Sequence, residues 1–256
     1  MPHKSSITLL HDIRRLLAYH LTLGIRNYPA SPGLNHFLHP RPASLPFGRR
    51  DKDCNSLSPA PVVSPSLTDI RAEMEGCTRC RLSNSRTHIV FGQGCKHPVV
   101  LIVAEWPSEE DDRQAEAFRG PAGELLTKML TAINLTRDEV FLTHTVKCLP
   151  PASRMPEVDE INTCLIFLHR QIEIMRPRVI CAMGPLAART LLRNEDSLFR
   201  LRGRFHEFHT ARGETVPLLS TFHPAFLIKN PEMKKASWQD LQLLQRKLAS
   251  LQPHNK

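Results

Sequence analysis

Four of the cysteines have a spacing that suits a metal centre. Cys77 and Cys80 form a Cys-x-x-Cys pair, and Cys148 and Cys164 follow far downstream. One turn can present the paired thiolates to one centre, and two distant thiolates can complete a four-sulfur site for either zinc or an iron-sulfur cluster. The remaining cysteines, Cys54, Cys95 and Cys181, lack such spacing. The alternative is that every cysteine is a small hydrophobic residue of a reduced protein.

The composition is that of a globular protein. The chain has 256 residues, of which 41% are hydrophobic, which is enough for one large domain with a real core. No apolar stretch reaches the roughly 18 residues that span a bilayer, and charged residues such as Arg14 interrupt the apolar run at 7–23. We therefore expect neither a signal peptide nor a membrane helix. The odd number of cysteines favours a reducing cytoplasm over a disulfide framework.

The net charge favours a polyanionic partner, with nucleic acid as the first candidate. The chain carries a formal charge of +9, and each cation near a phosphate releases condensed counterions. Residues 1–66 account for +5 of this charge. Because a basic tail is often only a solvated tail, the charge alone is weak evidence.

The chain divides into three regions. Leucines and isoleucines at helical spacing predict one amphipathic helix within residues 1–26. Recurrent prolines among serines and arginines predict a flexible linker at 27–66, because proline removes backbone donors. The body of the protein is expected at 67–256.

The body alternates strand-like and helix-like segments. Apolar runs predict strands at 99–103, 139–143, 178–183 and 216–220, and apolar periodicity predicts helices at 121–135, 157–175, 186–192 and 236–251. A short helix is expected before Cys77, and residues 205–208 are expected to pair with the last strand across the turn at Gly213. This alternation predicts an α/β fold with a parallel sheet.

Polar residues follow several of the predicted strands. They are Glu105, His144, Lys147 and His223, and Gly184 follows the third strand. In open α/β sheets the ligand site lies beyond the carboxyl ends of the strands. We therefore expect one acid and two histidines to converge in one crevice.

Several motifs resemble the iron-sulfur, type-4 uracil-DNA glycosylases, from the first cysteine pair to the last helix. These motifs are Cys77-x-x-Cys80, Ala117-Phe118-Arg119-Gly120-Pro121-Ala122-Gly123, Thr143-His144-Thr145-Val146-Lys147-Cys148-Leu149-Pro150-Pro151, Cys164 with the following Gln171-Ile172, and His223-Pro224-Ala225. The resemblance implies a three-layer α/β/α sandwich with a mostly parallel central sheet. It also implies a monofunctional glycosylase that hydrolyses the N-glycosidic bond of uracil or a related deaminated base in DNA.

The resemblance implies a cofactor as well. It places the family's cluster ligands on Cys77, Cys80, Cys148 and Cys164, which implies a 4Fe-4S cluster, with zinc as the alternative. We expect the cluster to be structural, because it would join a helix end, a loop and a second helix. Arg79 and Arg81 are expected to offset its negative charge.

Three residues take catalytic or base-binding roles by the same resemblance. Glu105 matches the carboxylate that orients or deprotonates the attacking water, or stabilises the positive sugar. His223 matches the histidine that donates to O2 of the leaving base. Phe118 matches the ring that stacks on the flipped base, although a core phenylalanine is the alternative.

The sequence departs from the family pattern at two places. The usual Gly-Glu-Ala-Pro-Gly is Ala104-Glu105-Trp106-Pro107-Ser108 here, and side chains at both glycine positions are expected to cause a clash or a shifted loop. The asparagine that reads the uracil edge is replaced by His144, whose neutral imidazole offers one donor and one acceptor in a different geometry. We hypothesise that base selectivity is relaxed or redirected, or that uracil is excised slowly.

Contacts to DNA are expected from basic and apolar residues near the site loops. The candidates for phosphate contacts are Lys147, Arg154, Arg202, Arg204, Lys229, Lys234 and Lys235. Phe226 and Leu227 are candidates for a wedge in the DNA stack, although a buried hydrophobic pair is the alternative.

Water is the expected nucleophile, because no lysine matches a Schiff-base position in the resembled family. We expect a monomer that acts on DNA and has no membrane partner. Two rival interpretations remain open. One is a noncatalytic iron-sulfur relative that binds DNA without turnover, and the other is a zinc-stabilised α/β enzyme that acts on a nucleotide.

Overall fold

The computed structural model of the chain describes residues 66–251. The helix predicted within residues 1–26 and the linker predicted at 27–66, except Ser66, lie outside the described residues. Among the helices of residues 66–251, none combines the length and the apolar character that a membrane span requires.

The described residues form a six-stranded sheet with helices packed against it. The strands are β1 (Gln93–Gly94), β2 (Val100–Ala104), β3 (Val140–His144), β4 (Val179–Met183), β5 (Phe205–His209) and β6 (Thr215–Thr221). The helices are α1 (Leu67–Glu75), α2 (Glu109–Gln114), α3 (Gly120–Thr131), α4 (Val158–Met175), α5 (Pro185–Leu192), α6 (Leu198–Leu201), α7 (Pro224–Lys229) and α8 (Lys234–Leu251). Short 3-10 helices occupy Arg81–Asn84, Pro151–Ser153 and Pro231–Met233.

The sheet has the strand order β1-β3-β2-β4-β6-β5. The four inner strands are parallel, and β1 and β5 pair antiparallel at the two edges. Every residue of β2, β3 and β4 is buried, which requires cover on both faces of the sheet. The predicted α/β sandwich with a mostly parallel central sheet is therefore confirmed.

The helices supply that cover. Helix α5 packs on β4, α8 packs on β6, α1 packs against α4, and α3 packs against α7. The apolar faces of these helices meet the strands in one continuous core. Because the inner strands run parallel, their carboxyl ends all lie at one edge of the sheet.

The observed elements differ from the predicted ones in a few places. Helix α3 ends at Thr131 instead of 135, and Asn134 then adopts a left-handed φ of 60° that turns the chain toward β3. Helices α2 and α6 and strand β1 have too few residues to show a periodicity. Helix α2 has four acidic residues in its first turn, where negative charge is favourable next to the helix dipole, and two of them, Asp111 and Asp112, are buried.

Candidate active site

The polar residues that were predicted to converge lie along one edge of the sheet. His144 is the last residue of β3, Glu105 follows β2, Gly184 follows β4, and His223 lies two residues after β6. These four strands are neighbours in the order β3-β2-β4-β6. The structure therefore brings the acid and both histidines to the same side of the molecule.

The Glu105 carboxylate is half-buried at the start of α5. Its Oε1 accepts a hydrogen bond from the backbone N–H of Leu186 at 2.9 Å. Burial raises the pKa of the Glu105 carboxyl, and the Leu186 N–H opposes that rise. A carboxylate held in this way can orient water or face a developing positive charge.

Gly184 makes room for this carboxylate. Its φ of +101° lies where side chains are strained, and a Cβ there would lie 2.5 Å from Cδ of Glu105. Glycine at this position lets the carboxylate approach the first turn of α5.

The altered motif around Glu105 fits without a clash. Ala104 ends β2 inside the core. Ser108 has a φ of −76° and caps α2, where its Oγ accepts from the backbone N–H of Asp111 at 3.2 Å. Neither position needs the conformations that only glycine adopts, so the clash expected from the loss of both glycines is absent.

The Phe118 ring lies against both histidines. Its centroid is 5.5 Å from the His144 ring and 5.6 Å from the His223 ring, with interplanar angles of 18° and 17°. The side chain is 3% exposed. Because the two histidines follow strands that are not neighbours, Phe118 connects the two ends of the crevice.

Three contacts hold the loop that carries Phe118. Arg137 Nη2 donates to the carbonyl of Ala117 at 3.1 Å and to that of Phe118 at 3.4 Å. Asp111 Oδ1 accepts from the backbone N–H of Arg119 at 2.6 Å. Phe118 has a left-handed φ of 57°, which costs roughly 1–2 kcal/mol and persists because these contacts fix the loop. No motif or periodicity in the sequence indicates this role of Arg137.

Gly123→Ala is expected to destabilise this loop. A Cβ at Gly123 would lie 1.8 Å from the Phe118 carbonyl oxygen, and nothing lies within 4 Å of a Cβ at Gly76. We expect Gly123→Ala to lower the free energy of unfolding by roughly 1–3 kcal/mol, measured by denaturant unfolding. Gly76→Ala is the matched control and should change it by less than about 1 kcal/mol. Equal effects of the two variants would contradict the proposed packing.

His144 is buried and neutral. Its side chain is 2% exposed, and Nε2 lies 3.6 Å from Asp111 Oδ2. Nδ1 is buried and has no hydrogen-bond partner in the part of the chain that the structure describes. Burial, and to a smaller extent repulsion between a protonated His144 and the neighbouring Lys147, holds the pKa of His144 well below its usual range.

His223 begins α7 and is held in one tautomer. Its Nδ1 accepts a hydrogen bond from the backbone N–H of Ala225 at 3.2 Å. Burial lowers the pKa of His223 to about 4. The neutral imidazole therefore carries its proton on Nε2, which can donate to a ligand.

The four predicted metal ligands line one pocket. Cys77, Cys80, Cys148 and Cys164 lie there together. Arg86 Nη1 donates to the Cys148 sulfur at 3.3 Å, and the backbone N–H of Lys147 donates to the Cys164 sulfur at 3.3 Å. Burial raises the pKa of Cys164 to about 12, so this thiol must lose a proton to bind a metal.

The donor set of the pocket suits a centre with four thiolate ligands. Within residues 66–251, no group of three or more His, Cys, Asp or Glu side chains is arranged to hold one metal ion. Four sulfurs around one zinc ion lie within about 4 Å of one another. A four-iron cluster takes one thiolate at each iron, so its ligand sulfurs lie farther apart. The donors to sulfur from Arg86 and from the backbone are those that tune such a cluster.

Lys147 does not lie where a phosphate contact would need it. The residue is fully buried, and its Nζ donates to Thr143 Oγ1 and to Gln171 Oε1. Burial lowers the pKa of Lys147 to about 7. The predicted DNA contact of Lys147 is therefore wrong, and the side chain instead joins β3 to α4 beside the cysteine pocket.

Several other predicted contacts are corrected by the structure. Arg154 donates through both terminal nitrogens to Glu160 at 2.8 and 2.7 Å, which leaves it committed to that ion pair. Arg202 is paired with Asp240 at 2.8 Å. Leu227 is 1% exposed and belongs to the core, so it cannot enter a DNA stack.

The predicted charge balance at the cysteines is also revised. Arg79 does line the pocket, but Arg81 pairs with Glu157 and Asp159 at 3.0 and 3.1 Å. Arg86, which the sequence did not single out, is the arginine that contacts a cysteine sulfur. No motif marked it, because its role depends on how the segment after the 3-10 helix turns back to the pocket.

The remaining predicted DNA contacts lie on the surface. Arg204, Lys229, Lys234 and Lys235 are exposed. Phe226 is 38% exposed and stacks on Phe222, with centroids 5.2 Å apart. These residues are accessible to a partner.

Comparison with known proteins agrees with this geometry. Residues 91–242 match the model of the Uracil DNA glycosylase superfamily. The chain is 36% identical to the type-4 uracil-DNA glycosylase of Sulfurisphaera tokodaii over 189 residues, which cover 72% of this chain and 85% of that protein. It is 33% identical to the type-4 uracil-DNA glycosylase of Archaeoglobus fulgidus over 192 residues, which cover 73% of this chain and 96% of that protein. This chain belongs to the uracil-DNA glycosylase superfamily.

Proposed function

We propose that this protein is a monofunctional uracil-DNA glycosylase, which hydrolyses the N-glycosidic bond of uracil or a related deaminated base in DNA. The type-4 enzymes that it resembles over 72% of its length support this assignment. The observation that carries it is the Phe118 ring against two neutral imidazoles, at the same strand edge as Glu105. This arrangement offers a stacking surface, donors and acceptors, and a carboxylate in one crevice.

His223 would stabilise the departing base. Excision requires the flipped base to leave as an anion while the sugar becomes positive. The proton of the neutral His223 imidazole lies on Nε2, because Nδ1 accepts from the backbone N–H of Ala225. With a pKa of about 4, the imidazole remains a neutral donor across the physiological range and can place a hydrogen bond where charge develops.

Glu105 would act on the sugar side of the bond. The half-buried carboxylate is held at Leu186 and can orient the attacking water or stabilise the positive sugar. Its raised pKa makes it a stronger base than a solvated glutamate. Water is the proposed nucleophile, because Lys147 is buried in its own hydrogen bonds.

Phe118 and His144 would recognise the base. The flat face of Phe118 suits stacking on a flipped base. His144 brings a buried nitrogen that has no hydrogen-bond partner among residues 66–251, and a base edge can satisfy it. The use of histidine in place of asparagine supports an altered selectivity among deaminated bases.

We propose that the cysteine pocket holds a 4Fe-4S cluster, with zinc as the alternative. The ligands would be Cys77, Cys80, Cys148 and Cys164. When bound, such a group supplies a cross-link between the end of α1, the segment after β3 and helix α4. Arg86 would hold the Cys148 thiolate from outside the ligand set.

The exposed residues beside His223 would meet the DNA. Phe226 stacks on Phe222 and is the proposed wedge at the flipped nucleotide. Phe199 is 64% exposed and packs edge-on against Phe222 at 5.4 Å, so a second aromatic side chain is available next to it. Lys229 and Arg204 are candidates for phosphate contacts. The monomeric state and the reducing cytoplasm remain predictions.

The direct test uses synthetic oligonucleotides under anaerobic conditions. Duplex and single-stranded substrates that contain one uracil, hypoxanthine or xanthine are incubated with the protein and then treated with alkali. We expect alkali-dependent cleavage at uracil and no cleavage before alkali, because no lyase step is proposed. Binding of the uracil duplex without cleavage would contradict the enzymatic function and favour a noncatalytic DNA-binding relative.

A further inference from the structure

The two ring nitrogens of His144 have different surroundings. Within the described part of the chain, Nδ1 is buried and has no hydrogen-bond partner, whereas Nε2 faces the carboxylate of Asp111 at 3.6 Å. The neutral imidazole carries one proton, which resides on either nitrogen. Whichever group faces Nε2 therefore decides what Nδ1 offers to a ligand.

The Asp111 carboxylate is arranged as an acceptor. Oδ1 accepts from the backbone N–H of Arg119 at 2.6 Å, and Oδ2 accepts from that of Ser108 at 2.9 Å. Burial raises the pKa of Asp111, whereas these backbone N–H groups lower it. Two backbone N–H donors, one on each oxygen, favour the ionised carboxylate, which accepts hydrogen bonds and does not donate them.

We infer that Asp111 is a positioning residue that holds the His144 proton on Nε2, so that Nδ1 accepts a hydrogen bond from a ring N–H of the flipped base. This inference rests on the proposed function of the crevice and names the class of base that it selects. The class is bases with a lactam N–H, such as uracil at N3 or hypoxanthine at N1.

The same geometry rejects cytosine. Cytosine has a bare N3 where uracil has N3–H, so two lone pairs would face each other at Nδ1. A site with a buried group that a wrong ligand leaves unpaired discriminates strongly against that ligand. Asparagine at this position would also donate to the neighbouring carbonyl of the base, which Nδ1 in this tautomer cannot do.

Asp111→Asn reverses the proton preference in the test. The amide nitrogen that replaces Oδ2 can donate to Nε2 at the expense of the hydrogen bond from the Ser108 N–H, which moves the imidazole proton to Nδ1 and turns the acceptor into a donor. We expect the kcat/KM for uracil to fall roughly 10-fold or more, and the preference for uracil over cytosine to narrow by a similar factor. Ser108→Ala is the matched control, since it removes the helix cap at Asp111 and keeps the carboxylate.

A double variant separates positioning from folding. With His144→Asn in place, no tautomer remains to be set, so Asp111→Asn should leave the uracil-to-cytosine ratio unchanged. If Asp111 were only structural, its substitution would lower activity in both backgrounds without moving the ratio in either. That result, or a Ser108→Ala variant that shifts the ratio as much as Asp111→Asn does, would overturn the inference.

A binding measurement keeps this test independent of turnover. The probes are duplexes with 2′-fluoro-2′-deoxyuridine or its cytidine analogue, in which the glycosidic bond resists cleavage. We expect the wild type to bind the uridine duplex more tightly, and Asp111→Asn to narrow that difference. If the wild type prefers the uridine duplex over the cytidine duplex but does not excise ordinary uracil, the proposed function is contradicted and the inference about Asp111 still holds. Equal binding of the uridine and cytidine duplexes would overturn the inference, whether or not the protein excises uracil.

Discussion

Glu105→Gln is expected to reduce the single-turnover release of uracil by roughly 10²–10⁴-fold, the usual scale for a positioned acid or base. Glutamine keeps the volume of glutamate and can still accept from the Leu186 N–H, so the crevice should keep its shape. It lacks the charge that faces the sugar and the basicity that activates water. The affinity for a noncleavable uracil duplex should change by less than about 3-fold, because the lost interaction stabilises the transition state and not the bound substrate.

The pH dependence of the rate tests whether the slower release of uracil in Glu105→Gln is due to the missing carboxylate. Burial raises the pKa of Glu105 above its usual 4.5, so kcat should fall on the acid side before a solvated glutamate would protonate. His223, with a pKa of about 4, remains neutral over that range and does not contribute to the acid limb. Glu105→Gln should abolish the limb. An acid limb of the same position in the variant and the wild type would contradict the role of Glu105.

The stability of the same variant provides a control for folding. A carboxylate whose pKa is raised in the folded state destabilises that state at pH values above its folded pKa, and the cost disappears as the group protonates. Glu105→Gln is therefore expected to match or exceed the melting temperature of the wild type at pH 7 and to lose this advantage in acid. A large drop in melting temperature at pH 7 would mean that the rate loss reflects misfolding.

Cys148→Ala is expected to remove the cluster and most of the stability of the domain. Structural metal sites contribute on the order of 10 kcal/mol, which is comparable to the total stability of a typical domain. Cys148 is 6% exposed and accepts from Arg86, so its loss leaves a half-buried cation beside an incomplete site. We expect the purified variant to lack iron and visible absorbance, and to unfold at least about 10 °C below the wild type.

Cys181→Ala is the matched control for this change. Cys181 is fully buried in β4 and lies outside the cysteine pocket, so its substitution removes a buried sulfur without removing a ligand. It should retain iron and lose only about 1–2 kcal/mol of stability. Iron content in Cys148→Ala equal to that of Cys181→Ala, after anaerobic purification, would contradict the proposed ligand set. Zinc in place of iron in the wild type would favour the alternative metal.

The sheet and the position of the site were predictable because both follow from strong local patterns. Continuous apolar runs at 99–103 and 178–183 mark strands buried on both faces. The carboxyl ends of parallel strands lie at one edge of the sheet, so the sequence alone predicts that Glu105, His144 and His223 lie close together. At most strand ends, the observed and predicted boundaries differ by one residue. This difference does not change which residues lie together at the site.

The direction of individual polar side chains was not predictable. Lys147 follows a strand end as a DNA contact would, but Thr143 and Gln171 draw it into the interior. Those partners lie on two separate elements, and a one-dimensional pattern does not show that they meet. Asp111 was not predicted for the same reason, because α2 has only six residues, most of them charged, and shows no apolar periodicity.

Release of free uracil tests the central claim most directly. A duplex with one uracil opposite guanine is mixed with an excess of wild-type protein without oxygen, and the free base and the abasic strand are quantified over time. The account predicts one free uracil for each abasic site, and a loss of both products in Glu105→Gln. A wild-type protein that binds this duplex while the uracil stays attached, or one whose release is unchanged by Glu105→Gln, would contradict it.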